Sequence, residues 1–131
     1  MTVEEEIAAA YAHDKEGRER EAIVHYDRAW QMGVPADKRR GFMVGYGSTM
    51  RNVGRAEEAV ALLAEAHAAD PDYPAYTAFL ALALMSAGHP RAALATMLGC
   101  ALDAVPKAAW DGYDRALGEY QAELLGPALT E

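Results

Sequence analysis

The side chains in this sequence that could carry chemistry are four histidines, one cysteine, one Ser-Thr pair and a few short runs of charge. His13, His25, His67 and His89 make no pair at metal-ligand spacing. None stands in the H-E-x-x-H pattern that puts two imidazoles and a glutamate on one helix. His89, just before Pro90, reads as a helix-start residue, and the other three read as occupants of polar faces. Cys100 has no base in sight to hold it as a thiolate, so it reads as a small packing residue. Ser48-Thr49 lacks both the flanking glycines of a nucleophile elbow and the Gly-Lys-Ser/Thr of a phosphate loop. The chain therefore reads as non-enzymatic, with no catalytic residue, metal or cofactor expected. A metal or cofactor co-purifying with it would reverse that reading.

The charged runs point to a binding protein. Glu4-Glu5-Glu6 and Glu57-Glu58 read as solvated faces at helix N-termini, where negative charge suits the helix dipole. Lys38-Arg39-Arg40 is the positive cluster and, beside Arg51, could receive an acidic segment. The formal charge of −8 argues against non-specific binding to nucleic acid or anionic lipid, and no apolar stretch nears the roughly 18 residues of a membrane span. One cysteine cannot form an internal disulfide, and the first residues lack the positive charge and apolar run of a secretory signal. A cytoplasmic protein with a protein or peptide partner is expected.

The elements that must position these groups are helices. The hydrophobic fraction of 52% rests on alanine, with few β-branched residues, and at 131 residues one domain can bury a real core. Helical spacing runs through Val3, Ile7 and Ala10 or Tyr11, with Thr2 as N-cap, and then through Ala22, Ile23, Tyr26, Ala29 and Trp30. A third helix, from about Ala36 to Asn52, carries Phe42, Met43, Tyr46 and Met50. Its Gly41, Gly45 and Gly47 each cost about 1 kcal/mol in a helix interior, so they mark either close packing of a neighbouring helix or a backbone-lined notch for a ligand. The fourth presents Ala59, Leu62, Leu63 and Ala66. The fifth, Pro74 to Ala87, is almost wholly apolar and is the expected centre of the core. The sixth, Arg91 to Ala104, should face Ala93, Leu94, Met97, Leu98, Cys100 and Ala101 inward. A capping helix over about 107–125 places Trp110, Tyr113, Leu117, Tyr120 and Leu124 on one face, and Gly126-Pro127 should stop it.

Gly17, Gly54 and Gly88 fall at turns 37 and 34 residues apart. Five residues past each stands alanine (Ala22, Ala59, Ala93), nine past a larger apolar residue (Tyr26, Leu63, Met97), and twelve past a small one (Ala29, Ala66, Cys100). Two helices cross closely only where small residues meet, and the larger residue fills the space between successive hairpins. A 34-residue period with this pattern resembles the tetratricopeptide repeat family. The second repeat matches best, with Tyr46 and Gly47 on the motif's first-helix positions and Pro71 as terminator. Ala10 and Ala81 replace that glycine elsewhere, the motif's tryptophan is missing, and the first interval carries three extra residues around Gly33 to Arg40. Gly45 to Arg55 and Phe79 to Leu84 resemble small stand-alone bacterial three-repeat proteins of unknown function, which implies a homodimer. The expectation is an all-α solenoid occupying 1–131 as one domain, with repeats at about 3–34, 36–71 and 74–106 plus the capping helix.

In such a solenoid the first helices of the hairpins line a concave groove. Outward positions there are Glu4, Ile7, Tyr11 and Asp14, then Gly41, Val44, Ser48, Arg51 and Asn52, then Ala78, Leu82, Met85 and Ser86. The partner-binding set expected from these is Tyr11, Ser48, Arg51, Asn52, Leu82 and Met85. Members of the resembled family that clamp a terminal carboxylate use Lys and Asn on these helices, which Arg51 and Asn52 could approximate. Leu82 and Met85 need cover. The C-terminal helix folding back, a second copy of the chain and a bound partner segment are the three covers, and bulk at Trp30, Tyr46 and Trp110 suits the second. The functions that follow are an interaction module that binds a protein segment as a homodimer, an acidic chaperone masking an aggregation-prone partner, or a structural dimer without a free groove.

Overall fold

A computed structural model describes residues 1–129, with side chains to residue 126, and all regular structure in it is helical. The helices are α1 (Val3–Lys15), α2 (Glu19–Met32), α3 (Arg39–Asn52), α4 (Ala56–Ala69), α5 (Pro74–Ser86), α6 (Pro90–Ala104) and α7 (Asp114–Leu129). Thr2 opens α1 with a capping box, its hydroxyl taking the Glu5 N–H while the Glu5 carboxylate takes its own.

The helices pair α1/α2, α3/α4 and α5/α6 through one repeated turn. Gly17, Gly54 and Gly88 have φ of 75°, 89° and 88°, a region costly for any residue with a Cβ. Beyond them the N–H of Arg18, Arg55 and His89 reaches back to the carbonyls of His13, Met50 and Leu84 at 2.8–2.9 Å. The same closure three times explains the glycine spacing. The first helices α1, α3 and α5 stand side by side, and α7 packs on α6.

The centre of the core is α3, not the more apolar α5. Phe42, Met43, Tyr46, Gly47, Thr49 and Met50 of α3 are all buried, and this helix packs on α1, α2, α4 and α5. Tyr46 stacks on Tyr26 (5.6 Å between centroids), Phe42 meets Tyr26 edge-on (5.4 Å), and Trp30 stacks on Phe42 (6.3 Å). Tyr46 is thus spent inside the subunit, and Trp30 is half-buried against the same cluster. Helix α5 leaves Leu82 41% and Met85 61% exposed, because its buried positions are taken by Tyr76, Leu80, Ala81 and Ala83.

The three helical glycines of α3 divide. A Cβ on Gly47 would lie 2.8 Å from two carbons of Leu63, and one on Gly45 would run into the Tyr26 hydroxyl. Both glycines therefore serve packing, as the first of the two sequence readings had it. Gly41 faces only the Tyr11 hydroxyl, at 3.8 Å.

Four further expectations change. Residues 36–38 form a 3₁₀ turn, so α3 starts at Arg39 and not at Ala36. The capping helix is interrupted: Lys107–Trp110 is a 3₁₀ turn, and Asp111 (φ 51°) and Gly112 (φ 87°) reverse the chain before α7. Tyr113 and Tyr120 consequently point outward, 71% and 60% exposed. Helix α7 also runs on through Pro127 to Leu129. The proline deprives the Glu123 carbonyl of its helical N–H, and Arg91 donates to that carbonyl and to Leu124's, both at 3.3 Å. In α6, Ala93 and Ala95 are buried while Leu94 and Met97 are 58% and 38% exposed, so the buried positions of α6 are alanines and not leucines.

Glu6 and His25 are not solvated. Glu6 is 4% exposed and its carboxylate meets His25 Nδ1 at 2.8 Å. The His25 ring stacks on His13 (5.5 Å, 8°), and Arg18 donates to His13 Nδ1. Burying a carboxylate requires such a partner.

Candidate interaction surfaces

Three surfaces can be built from these helices. The first is the face formed by α1, α3 and α5. Tyr11, 41% exposed, leans against Tyr26 with its hydroxyl near Gly41. Ile7 does not share this face, being 6% exposed in the core. Asp14 is half-buried and accepts a 2.6 Å hydrogen bond from Tyr26. Burial and this bond push the Tyr26 phenol far above its ordinary range, so it stays protonated and structural. Ser48 is half-buried on α3, the helix that packs on both α1 and α5.

Arg51 and Asn52 are brought together but committed elsewhere. Arg51 donates to Ser86 Oγ (2.8 Å) and to Asn52 Oδ1 (3.1 Å), and Asn52 donates to Glu19 (2.8 Å). The pair forms a polar strap across the glycine-turn ends of three hairpins, which occupies the donors a carboxylate clamp would use. Leu82 and Met85 stay uncovered, because α7 packs on α6.

The second surface lies on α6 and α7. Leu94, Leu98, Tyr120 and Leu124 line a recess of about 340 Å³ beside Arg91 and Glu123, with Leu94 and Tyr120 largely exposed. Gln121 seats against Gly99 and donates to the Ala95 carbonyl (3.1 Å), which brings the two helices close.

The third is the largest cavity described, about 550 Å³, at the end of the stack opposite the glycine turns. Met43 of α3, Ala66 of α4 and Tyr76 of α5 make its buried floor, Trp30 of α2 is one wall, and Asp37, Arg39, Glu65 and Asp70 stand at its mouth. Of the basic cluster Lys38-Arg39-Arg40, two members are engaged. Arg40 pairs bidentately with Asp70 (2.7 and 2.9 Å) over the Tyr73 ring, and Arg39 donates to the Val34 carbonyl (3.1 Å). The Asp70 carboxyl is held below the usual carboxylate range by those Arg40 hydrogen bonds. Sequence reasoning missed this cavity. Its signal was the three extra residues near Gly33 to Arg40, which become the 3₁₀ turn at its rim.

A second cavity of about 310 Å³, between α4, α5 and α6, holds His67, Cys100 and Asp103. The Cys100 thiol points at the Pro74 carbonyl (3.4 Å), and His67 Nδ1 is buried without a partner. Among the described residues no group of three or more His, Cys, Asp or Glu is placed to hold a metal ion, and no helix is long and apolar enough to cross a membrane.

The family model described as tetratrico peptide repeat matches residues 4–124. With three glycine-closed hairpins stacked in register, the chain belongs to that family, whose members serve as protein-interaction scaffolds. No curated protein and no solved structure matches it.

Proposed function

We propose that this protein binds a segment of a partner protein along the α1/α3/α5 face, with Tyr11, Ser48, Leu82 and Met85 as contacts, and that it works as a homodimer through the outer side of α6 and α7. The observation that carries the first half is the exposure of Leu82 and Met85 beside Tyr11 on a face no other part of the chain covers. Apolar burial supplies the affinity there, and the acidic surface selects a basic or neutral partner. Arg51 and Asn52 act at the edge of this face as the strap that ties α3 to α5 through Ser86 and to α2 through Glu19, not as primary contacts. The second half rests on Leu94, Met97 and Tyr120, an apolar patch on the opposite side that suits a two-fold contact. The single free cysteine fits a cytoplasmic setting.

Light scattering on the wild type and on Leu82→Glu/Met85→Glu, with selection of displayed random peptides on both, tests the reading. The expected result is a dimer whose mass the double variant keeps, and selected peptides that the variant no longer binds. A double variant that falls to a folded monomer would instead assign the face to self-association, which is the structural-dimer function. An acidic chaperone is the second reading, favoured by apolar exposure on both sides of α5/α6. Suppression of a client's aggregation without any selectable peptide would establish it in place of the first.

A further inference from the structure

The hairpins meet at two junctions built from the same repeat positions. Thirteen residues past the turn glycine stand Trp30 in the first hairpin and His67 in the second. Eleven before the next turn glycine stand Met43 and Thr77, and twelve past it stand Ala66 and Cys100. The two cavities described above are therefore one repeat feature seen twice, about 550 Å³ and apolar-floored at the first junction, about 310 Å³ and of mixed polar and apolar lining at the second. The larger one owes its size to the linker. Residues 33–38 hold α2 off α3, which pack far less extensively than α4 and α5 do.

The first cavity is also held open. Val34 is buried at 2% exposure and its carbonyl is bonded by Arg39, so the linker is anchored. Arg40 and Asp70 brace the start of α3 against the end of α4. Arg40 is thereby neutralised within the chain, whereas Arg39 gives only its Nε to a neutral carbonyl and Asp37 and Glu65 take part in no ion pair among the described residues, so carboxylates outnumber unpaired cations at the mouth by two to one. An apolar floor under two uncommitted carboxylates, on a chain of charge −8, fits a particular kind of guest.

We propose that this cavity is a second binding site, which takes one leucine-sized or aromatic side chain from a partner segment carrying a lysine or arginine beside it. The apolar side chain seats on Met43, Ala66 and Tyr76 against Trp30, and the cationic neighbour meets Asp37 and Glu65. The site lies at the linker end of the stack and shares no residue with the α1/α3/α5 face, so either can fail without the other.

A ¹⁵N-¹H titration with a capped pentapeptide holding a central leucine between two lysines tests it, alongside the same peptide with glutamates for the lysines. The lysine peptide should shift the Trp30 indole and the amides of residues 36–43 and 65–76, and bind about tenfold or more tightly than the glutamate peptide. Ala69→Phe, which fills the exposed rim, and Asp37→Lys/Glu65→Lys, both at exposed positions, should each weaken it about tenfold while the spectrum stays that of a folded chain. Leu82→Glu/Met85→Glu should leave it unchanged. No saturable shift, shifts elsewhere, equal affinity for both peptides, or undiminished binding to Ala69→Phe would overturn the proposal. Saturation of the cavity by free indole with neither peptide binding would overturn it in favour of a small-molecule site.

Discussion

Where α2 passes to α3 the chain spends residues 33–38 on an anchored loop and a 3₁₀ turn, and the gap it leaves is floored by Met43, Ala66 and Tyr76. Where α4 passes to α5 it spends only residues 70–73, and the gap is smaller and lined by His67, Thr77, Cys100 and Asp103. Nothing in the hairpins themselves forces this. The three glycine turns share the same closing hydrogen bonds from the glycine and from the residue after it, and the two helices of every hairpin pack extensively on each other. In a stack of repeats each unit touches only its neighbours, so what lies between units is free to diverge while the units are not. Three inserted residues and three substitutions, Trp30 for His67, Met43 for Thr77 and Ala66 for Cys100, are enough to turn one structural joint into two different surfaces.

The same divergence runs through the core, and it can be broken by experiment. Nine residues past the turn glycines stand Tyr26 (0% exposed), Leu63 (0%) and Met97 (38%). Truncation of each to alanine should cost about 3–5 kcal/mol for Tyr26 and about 2–5 kcal/mol for Leu63, but under about 1 kcal/mol for Met97. Urea unfolding followed by circular dichroism measures all three. Tyr26 carries an added loss, because its removal strands the Asp14 carboxylate it now satisfies. Equal costs at Tyr26 and Met97 would mean the third hairpin is as tightly built as the first, contrary to the contrast drawn above.

A smaller effect is expected seven residues before the turn glycines, where Ala10, Gly47 and Ala81 stand. Alanine is accommodated in the first and third hairpins. In the second, a Cβ would press on Leu63, which is fully buried and has nowhere to retreat. Gly47→Ala should therefore destabilise by about 1–3 kcal/mol even though alanine favours the helix by about 1 kcal/mol. Pairing it with Leu63→Val should recover part of the loss, and an unaltered cost in that pair would place the strain elsewhere.

How far these differences can be read without coordinates depends on the kind of signal involved. The hairpins were legible because a turn with φ near +90° admits little but glycine, and because Ala22, Ala59 and Ala93 mark where helices cross. The buried faces of α2, α3 and α4 were legible from 3.6-residue spacing. That spacing misled at the last two helices, where Leu94, Met97 and Tyr120, with Tyr113 just before α7, keep the period of a core face while Ala93, Ala95 and Gln121 take the inner positions. Apolar periodicity says that a face wants cover, and it does not distinguish cover within the chain from cover by a partner. The polar commitments were invisible for a different reason. That Arg51 reaches Ser86, or that Glu6 finds His25, depends on residues 35 and 19 positions apart. The outward placement of Leu82 and Met85 was anticipated but not that the C-terminal helix leaves them bare, whereas the cavity at Trp30 lay behind an insertion whose length was visible and whose shape was not.

The smallest expected effect concerns the brace at the cavity's mouth. Sixteen residues past the turn glycines stand Gly33, Asp70 and Ala104, so only the second hairpin can bind Arg40 in this way. Arg40 lowers the Asp70 carboxyl in the folded chain relative to the unfolded one, so the ion pair stabilises the fold above the usual carboxylate range and is lost as pH falls through the folded value. Asp70→Asn should then lower Tm slightly at pH 7, and the gap between variant and wild type should narrow below about pH 4 and close once Asp70 is protonated. Salt at about 1 M should narrow it as well, because both partners are solvent-accessible. The Trp30 indole resonance in the same variant gives the more telling readout. If the pair holds α3 and α4 at the spacing that keeps the cavity open, that resonance moves with pH in the wild type and is already displaced in Asp70→Asn at pH 7. If it stays fixed in both, the cavity is kept open by the anchored linker alone, and the two junctions differ by their three inserted residues and not by the ion pair beside them.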